Sequence, residues 1–240
     1  MIIDATNKYY TQLNHEIKEV QDQNITIKNV LGQRYIGTGV FNKNLEIYGT
    51  PGNALGAYLK DTQITIFGNV QDAVGDTMDS GEMIVHGNAG DTLGYAMRGG
   101  IVYVKGYGGY RVGIHMKAYM EHQPVLVIGK TTGSFLGEYQ AGGKIIVLGL
   151  ESETFPTGRY CGTGMHGGAM YIRSKEVPQY IAPQVVYKKC ETLEMDEIMP
   201  YLQKYSTLFD VDLKEILSVP FYKLTPSANN PYNSIYVENN

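Results

Sequence analysis

The sequence has no tryptophan and two cysteines among 240 residues, and these shortages exclude several kinds of site. Cys161 and Cys190 form no Cys-X-X-Cys pair, so the chain lacks the cysteine spacing of iron–sulfur clusters and structural zinc sites. With so few cysteines we expect buried thiols rather than a disulfide framework. The five histidines show no metal-ligand spacing either: His15, His86, His115, His122 and His166.

The sequence also lacks long runs of like charge and long apolar runs. Charged residues make up 18% of the chain, the formal net charge is −4, and no long run of one sign occurs. This charge pattern predicts neither a nucleic-acid partner nor a membrane partner. No stretch approaches the roughly 18 consecutive apolar residues of a spanning helix, and the N-terminus lacks the basic start and apolar core of a secretory signal. We therefore expect a cytoplasmic protein.

Glycine, by contrast, is abundant and regularly spaced, with 29 residues in the chain. One row has a period of 19 residues until two later intervals lengthen to 23 and 20: Gly49, Gly68, Gly87, Gly106, Gly129 and Gly149. The longer interval indicates an insertion of four residues, around 117–122. Glycines this regular are typical of turns with positive φ or of close backbone approach.

The apolar residues follow the same period. Four and two residues before each glycine lie pairs whose alternation predicts half-buried strands with these side chains inward: Leu45 and Ile47, Ile64 and Ile66, Met83 and Val85, Val102 and Val104, Val125 and Val127, Ile145 and Val147. Two further apolar rows are also expected to face inward: Leu55, Val74, Leu93 and Val112, then Leu59, Met78, Met97 and Met116. A unit of 19 residues is too short for a pair of helices.

This pattern predicts an all-β fold, a single-stranded right-handed parallel β-helix of about six to seven coils of about 19 residues each. Short strands and glycine turns would stack about 4.8 Å apart. We expect an N-terminal lead-in over 1–24, the β-helix over 25–175, and a C-terminal tail over 176–240. The tail should contain two short helices within 192–218 and an extended end.

The outward strand positions become apolar in the late coils, where Leu126 and Ile128, then Ile146 and Leu148, are predicted to face out. An apolar sheet face of this kind needs a cover, either from the tail or from another protein. The helical segment 192–218 is the candidate within this chain. Pro200 marks the start of one helix, and Asp212 with Glu215 would form a capping box at the start of the next.

Several patterns suggest metal sites but have simpler structural explanations. Met78, Met97 and Met116 with His115 nearby would offer the soft ligands that copper prefers, yet their equal spacing is typical of a stacked core.

Carboxylates also recur in the repeat, at Asp72 and Asp91 with Asp76 beside them. The 19-residue period does not match calcium-binding β-rolls, which argues against a calcium site. The run Gly162–Gly167 spells Gly-X-Gly-X-X-Gly, but the residues after it read as a strand rather than the helix of a dinucleotide-binding unit.

Cys161 and His166 would form a nucleophile and base only if a third group oriented them, and none is evident. The sequence therefore predicts no catalytic, cofactor-binding or metal-binding residue in this chain. The sequence assigns no role to Arg159, to His166 or to the insertion at 117–122, which contains Glu121 and His122.

The repeats and the segment GRYCGTGMHGGAMYI at 158–172 resemble the GXGXG domain at the C-terminal end of the large subunit of glutamate synthase. The matching motif positions are Gly158, Arg159, Gly164, Met165, Gly167 and Gly168. The resemblance covers about 30–175, and both ends of the chain are similar to the stand-alone form of this domain. One of the subunits of formylmethanofuran dehydrogenase shares the same domain.

The resemblance implies a noncatalytic structural subunit of a complex that converts glutamine and 2-oxoglutarate to glutamate. The implied partners are an amidotransferase chain and a synthase chain, and FMN and iron–sulfur clusters would belong to those partners. Two alternatives stay open: the equivalent scaffold subunit of a molybdenum or tungsten formylmethanofuran dehydrogenase, and a homo-oligomeric β-helix scaffold without an enzyme partner. A carbohydrate-active β-helix enzyme is disfavoured because turns this short leave little room for a substrate cleft.

Overall fold

Residues 1–227, which the computed structural model describes, form one large sheet with four helices. The eleven strands are β1 (Ile2–Asp4), β2 (Asn24–Leu31), β3 (Asn44–Thr50), β4 (Gln63–Phe67), β5 (Glu82–Val85), β6 (Ile101–Val104), β7 (Val125–Ile128), β8 (Ala141–Val147), β9 (Gly167–Arg173), β10 (Val185–Lys189) and β11 (Phe221–Pro226). The helices are α1 (Tyr10–Glu19), α2 (Thr192–Asp196), α3 (Met199–Phe209) and α4 (Leu213–Leu217).

Strands β1 to β9 lie side by side in chain order and pair in parallel, followed by β11 and then β10 in antiparallel pairing. In β3 and β4 the paired residues Leu45 and Ile64 are one repeat apart, as the glycine period predicts. The connections are bonded to one another too, since Gly75 N donates to Leu55 O at 2.9 Å and Gly94 N to Val74 O at 2.8 Å. The predicted sheet-dominated, mostly parallel fold is confirmed.

The interior core is built from the predicted inward rows. Both rows that follow the glycines are fully buried: Leu55, Val74, Leu93 and Val112, then Leu59, Met78, Met97 and Met116. The strand pairs of β3 to β6 and of β8 lie in the same cluster. The methionine row is therefore a stack of core side chains.

The predicted register of β7 is wrong by one residue. Val104 pairs with Ile128, so the insertion adds five residues rather than four. Leu126 and Ile128 point into the interior core, whereas Val125 and Val127 belong to the outward-facing cluster. Because side chains alternate along a strand, a slip of one residue exchanges the two faces.

Gly129 misled the sequence-based register because it lies one position earlier in its unit than Gly106 does in the unit before. It follows Ile128 directly, and a Cβ built on it would lie 1.9 Å from the Tyr205 hydroxyl of α3 and 2.2 Å from Lys105 O. That hydroxyl donates to Lys105 O at 3.0 Å. Both the close approach of a distant helix and the carbonyl of the preceding unit therefore require a glycine here.

Elements outside the repeat lie over the two ends of the interior core. At one end, Leu13 and Ile17 of α1 are fully buried in this core. The sequence analysis did not predict a helix in the lead-in over 1–24. Its start carries little sequence signal, because Tyr9 makes no side-chain cap. At the other end Val185 of β10 and Leu224 of β11 join the same cluster. None of the helices within residues 1–227 has the length and apolar character needed to cross a membrane.

The tail holds three helices within 192–218 rather than the two expected. The additional helix, α2, begins at a capping box formed by Glu191 and Glu194, while Pro200 lies in the first turn of α3 as predicted. Asp212 does cap α4, but its side chain accepts from Lys214 N at 2.9 Å instead of forming a box with Glu215. The extended end is observed as β11, and its continuation over 228–240 lies outside the described residues.

Side-chain oxygens link successive units at the turns. Asn69 Oδ1 accepts from Asn88 N at 2.9 Å, and Asn88 Oδ1 accepts from Tyr107 N at 2.9 Å. A Cβ at Gly106 would lie 2.0 Å from Asn88 Oδ1, whereas backbone atoms stay at 3.0 Å. The glycine is therefore required chiefly by the asparagine of the preceding unit.

We expect Gly106→Ala to lower the free energy of unfolding by about 1–3 kcal/mol, since the new methyl group displaces the Asn88 side chain. Asn88→Ala alone should cost about 1 kcal/mol through the lost hydrogen bond. In the double variant the methyl group has room, so the combined loss should be smaller than the sum. Urea denaturation measures all three variants, and additivity within about 0.5 kcal/mol would contradict this explanation.

Candidate docking surfaces

The outward face of β5 to β9 is covered by the tail helices of segment 192–218, which is one of the two covers that the sequence left open. The strands and the residue that follows β8 contribute Ile84, Tyr103, Val125, Val127, Ile146, Leu148 and Tyr171 to this cluster. The tail contributes Ile198, which caps α3, with Leu202, Tyr205 and Phe209 of α3 and Ile216 of α4. The cover begins at β5, earlier than the sequence indicated, and it removes most of the apolar strand face from any partner.

Polar contacts fix α3 on the sheet at positions far apart in sequence. Lys204 forms an ion pair with Glu82 of β5, and Tyr205 donates to Lys105 O just after β6. Burial raises the pKa of the Tyr205 hydroxyl, which keeps it protonated as a donor. The helix is thereby held against several successive units at once.

Arg173, at the end of β9, ties the sheet to α4 and is only 8% exposed. Its guanidinium donates to Ile216 O at 2.7 Å, Glu215 O at 2.9 Å and Leu148 O at 3.1 Å. Burial lowers its pKa. Sequence reasoning missed this residue, although an arginine directly after an apolar strand was a usable signal for a buried anchor.

The turns between strands display aromatic side chains. His115 stacks on Tyr139 with ring centroids 5.1 Å apart, and Tyr95 meets His115 edge-on at 5.9 Å. Phe135 stacks on Tyr160 at 5.0 Å. Several of these residues have left-handed backbone, with φ of 55° at His115 and 53° at Tyr139. Exposed tyrosines of this kind are enriched at protein interfaces.

A second aromatic row runs along the outward face beside the helical cover. Tyr48 stacks on Phe67 at 4.6 Å, Phe67 on His86 at 4.9 Å, and His86 meets Phe209 of α3 edge-on at 5.3 Å. Burial, with a smaller effect of Lys105, lowers the pKa of His86. This row continues the aromatic outward face beyond the helical cover, toward the N-terminal end of the sheet, where Tyr48 and Phe67 are partly exposed.

The glycine motif over 158–168 packs the last complete unit onto the one before it. A Cβ at Gly164 would lie 2.3 Å from the Tyr139 ring, and one at Gly167 would lie 2.4 Å from Ala141 O. Met165 is fully buried in the interior core. The Gly-X-Gly-X-X-Gly run within the motif leads into strand β9, so its glycines serve close packing.

The Cys161 thiol is fully buried, and burial raises its pKa to about 12. A thiol in that state is protonated at neutral pH and unreactive. The ring of His166 contacts Gly164 O through Nδ1 at 3.1 Å. The Cys161 side chain is thus part of the core, and the His166 ring is held by a contact with the backbone.

The repeated carboxylates also have structural partners. Asp72 Oδ1 accepts from Asp91 N at 2.9 Å, and Asp91 Oδ1 accepts from Tyr110 N at 2.8 Å. Asp76 Oδ1 accepts from the Thr77 hydroxyl at 2.8 Å. Within residues 1–227 no group of three histidine, cysteine, aspartate or glutamate residues lies close enough to hold a metal ion.

The insertion forms a tight turn in which Tyr119 and His122 exchange backbone hydrogen bonds of 3.1 and 2.9 Å. Met120 at its tip is 77% exposed. Arg98 lies 5.9 Å from the Tyr119 ring centroid. The turn is an exposed projection, and Glu121 stands on it.

Arg159 lies at the last turn of the stack, exposed and over the ring of Tyr180, with 5.7 Å between guanidinium carbon and ring centroid. It borders a cleft of about 650 Å³, lined by Arg159, Tyr160, Thr163 and residues 180–184. Its backbone N donates to Ser134 Oγ at 3.1 Å. The glycine motif thus places an arginine at the mouth of an aromatic cleft.

A protein-family model described as "GXGXG motif" matches residues 2–226. A protein of Methanocaldococcus jannaschii with the name "Uncharacterized protein MJ1350" is 42% identical over 250 residues, covering 98% of this chain and 96% of that protein. A chain in the crystal structure of the formyltransferase/hydrolase complex (FhcABCD) from Methylorubrum extorquens, in complex with methylofuran, has a TM-score of 0.64 at 18% identity. That match covers 84% of this chain and 83% of the other, and it shows a shared fold.

Replacing Arg173 tests how much the helical cover contributes to stability. We expect Arg173→Met to lower the free energy of unfolding by about 2 kcal/mol or more, because buried carbonyls at Leu148 and Ile216 lose a charged donor. Lys175→Met is the control, since Lys175 makes an exposed ion pair with Glu153 at 3.2 Å and should change stability by less than about 0.5 kcal/mol. Equal losses in the two variants would refute the anchoring role.

Proposed function

The chain belongs to the GXGXG motif family, and from that premise we propose that it is a noncatalytic scaffold subunit of a larger enzyme complex. The main support for this proposal is the contrast between the strand face, which the chain covers itself, and the turns, which it leaves exposed. The tail covers the apolar strand face, and the turns display aromatic and cationic side chains suited to partner chains.

The state of the candidate reactive groups supports a noncatalytic role. The Cys161 thiol is buried with a raised pKa, and the carboxylates of Asp72 and Asp91 accept backbone hydrogen bonds from neighbouring units. A buried, protonated thiol is inert, and the two carboxylates stabilise the contacts between units. Catalysis in the complex would then belong to the partner chains, together with their FMN and iron–sulfur clusters.

For the scaffold itself we propose the right-handed, single-stranded parallel β-helix expected from the repeat. The 19-residue register of β3 to β6 and the backbone bonds between successive turns support it. A stack of this kind contacts partners along its length while each unit contacts only its neighbours. That geometry suits a subunit that holds other chains in fixed relative positions.

The leading candidate complex is a glutamate synthase, in which the scaffold would position an amidotransferase chain and a synthase chain. The resemblance of the motif at 158–168 supports this assignment. The second candidate is a complex that handles formyl groups, such as formylmethanofuran dehydrogenase. The observation that favours it is the structural likeness to a chain of the formyltransferase/hydrolase complex.

Affinity purification of the tagged full chain from its native cells, followed by identification of the co-purifying chains, tests both candidates. Recovery of an amidotransferase and a flavin-containing synthase, with glutamine-dependent glutamate formation, is the expected result. A molybdenum or tungsten enzyme in their place would favour the second candidate.

Two results would contradict the scaffold function altogether. One is recovery of the chain as a homomer with no enzyme attached. The other is turnover of glutamine and 2-oxoglutarate by the purified chain alone. An unrelated protein with the same tag, expressed in the same cells, controls for nonspecific recovery.

A further inference from the structure

We propose that the cleft beside Arg159 binds an acidic segment of a partner chain, with the Arg159 guanidinium pairing to a carboxylate of that segment. We call this feature, lined by Arg159, Tyr160, Thr163 and residues 180–184, the Arg159 cleft. The proposal rests on the proposed scaffold function, because it states where one partner docks and which chemistry that partner presents.

The cleft exists because the stack of turns stops there. Tyr160 N donates to Tyr180 O at 3.0 Å, and Ala182 N donates to Cys161 O at 2.8 Å, so residues 180–182 begin another unit. Pro183 follows, and the chain turns away into β10. The neighbouring row of turn bonds ends where Tyr139 N donates to Thr163 O at 2.8 Å. Within residues 1–227 no further turn therefore covers the surface around Thr163 and Arg159.

Charge complementarity identifies the occupant as acidic. Arg111, on a turn two units earlier, lies over the Phe135 ring at 5.0 Å and also pairs with Glu138 at 3.0 Å. Arg159 likewise lies over a ring of the following unit, that of Tyr180, although it stands one residue before the position that corresponds to Arg111. Among residues 1–227 no carboxylate forms an ion pair with Arg159. A carboxylate from a partner would form with Arg159 the kind of ion pair that Glu138 forms with Arg111.

The walls of the cleft fit a peptide segment. Tyr160 is 55% exposed and Tyr180 is 63% exposed, so both rings offer apolar area that a partner would bury. A volume of about 650 Å³ is large enough for two or three side chains. Tyrosine and arginine together are typical of the residues that dominate binding energy at interfaces. A net charge of −4 and a single arginine disfavour a nucleic acid here.

The direct test uses a fluorescently labelled hexapeptide of alternating aspartate and phenylalanine as the probe, titrated with the full chain. Binding should weaken as salt is added, and Arg159→Gln should reduce the affinity about tenfold through loss of the charged pair. Arg34→Gln is the matched control, because Arg34 lies over the Tyr10 ring at 5.2 Å at the other end of the stack. The control should bind the peptide like the unmodified chain.

Three results would overturn the Arg159 cleft as an acidic-peptide site. The peptide does not bind, or both variants lose affinity equally, or a peptide with asparagine in place of aspartate binds equally well. Binding of a single-stranded oligonucleotide that depends on Arg159, with none for the peptide, would assign the cleft to nucleic acid instead. Thermal unfolding of both variants confirms that they are folded.

The same variants in the affinity-purified complex separate this proposal from the scaffold function. With Arg159→Gln, one partner chain should dissociate at lower salt than with the unmodified chain, while Arg34→Gln should change nothing. Recovery of no partner, with peptide binding that depends on Arg159, would refute the scaffold function and support the cleft. Partners retained equally by both variants, with no peptide binding, would refute the cleft and support the scaffold.

Discussion

Close approach of backbone between successive units is the constraint on which the rest of the structure depends. A Cβ at Gly68 would lie 2.2 Å from Gly49 O, and one at Gly81 would lie 2.3 Å from Thr62 O. At such positions any side chain would push the neighbouring unit away and break the hydrogen bonds between the backbones of the two units. The glycine period therefore equals the period of the stack, and the inward rows of apolar residues inherit it.

This constraint explains which parts of the structure could be predicted from the sequence. Rows that recur once in every unit, such as the row with Leu93 and the row with Met97, depend on local spacing and were assigned to the core correctly. The register of β7 could not be found in this way, because Gly129 stands one position away from the other repeat glycines and also contacts Tyr205, which lies far along the chain. Arg173 was missed for a similar reason, since its acceptor at Ile216 is 43 residues away.

The stack presents two different surfaces, and the chain uses them differently. Its own helices occupy most of the outward strand face through apolar packing, with Arg173 and Tyr205 as polar anchors. The turns remain displayed, and their stacked rings and guanidinium groups form a rigid surface at little cost in conformational entropy. The proposed scaffold function fits this division, because partner chains would dock along the turns, and the Arg159 cleft lies where the rows of turns end.

We expect the parallel strands and their helical cover to form one cooperative unit. Hydrogen exchange of the full chain, followed by mass spectrometry, tests this claim most directly. The amides of β5 to β9 and of α3 should exchange together, through a single opening with the free energy of global unfolding. Exchange of α3 long before the strands that it covers would contradict the account.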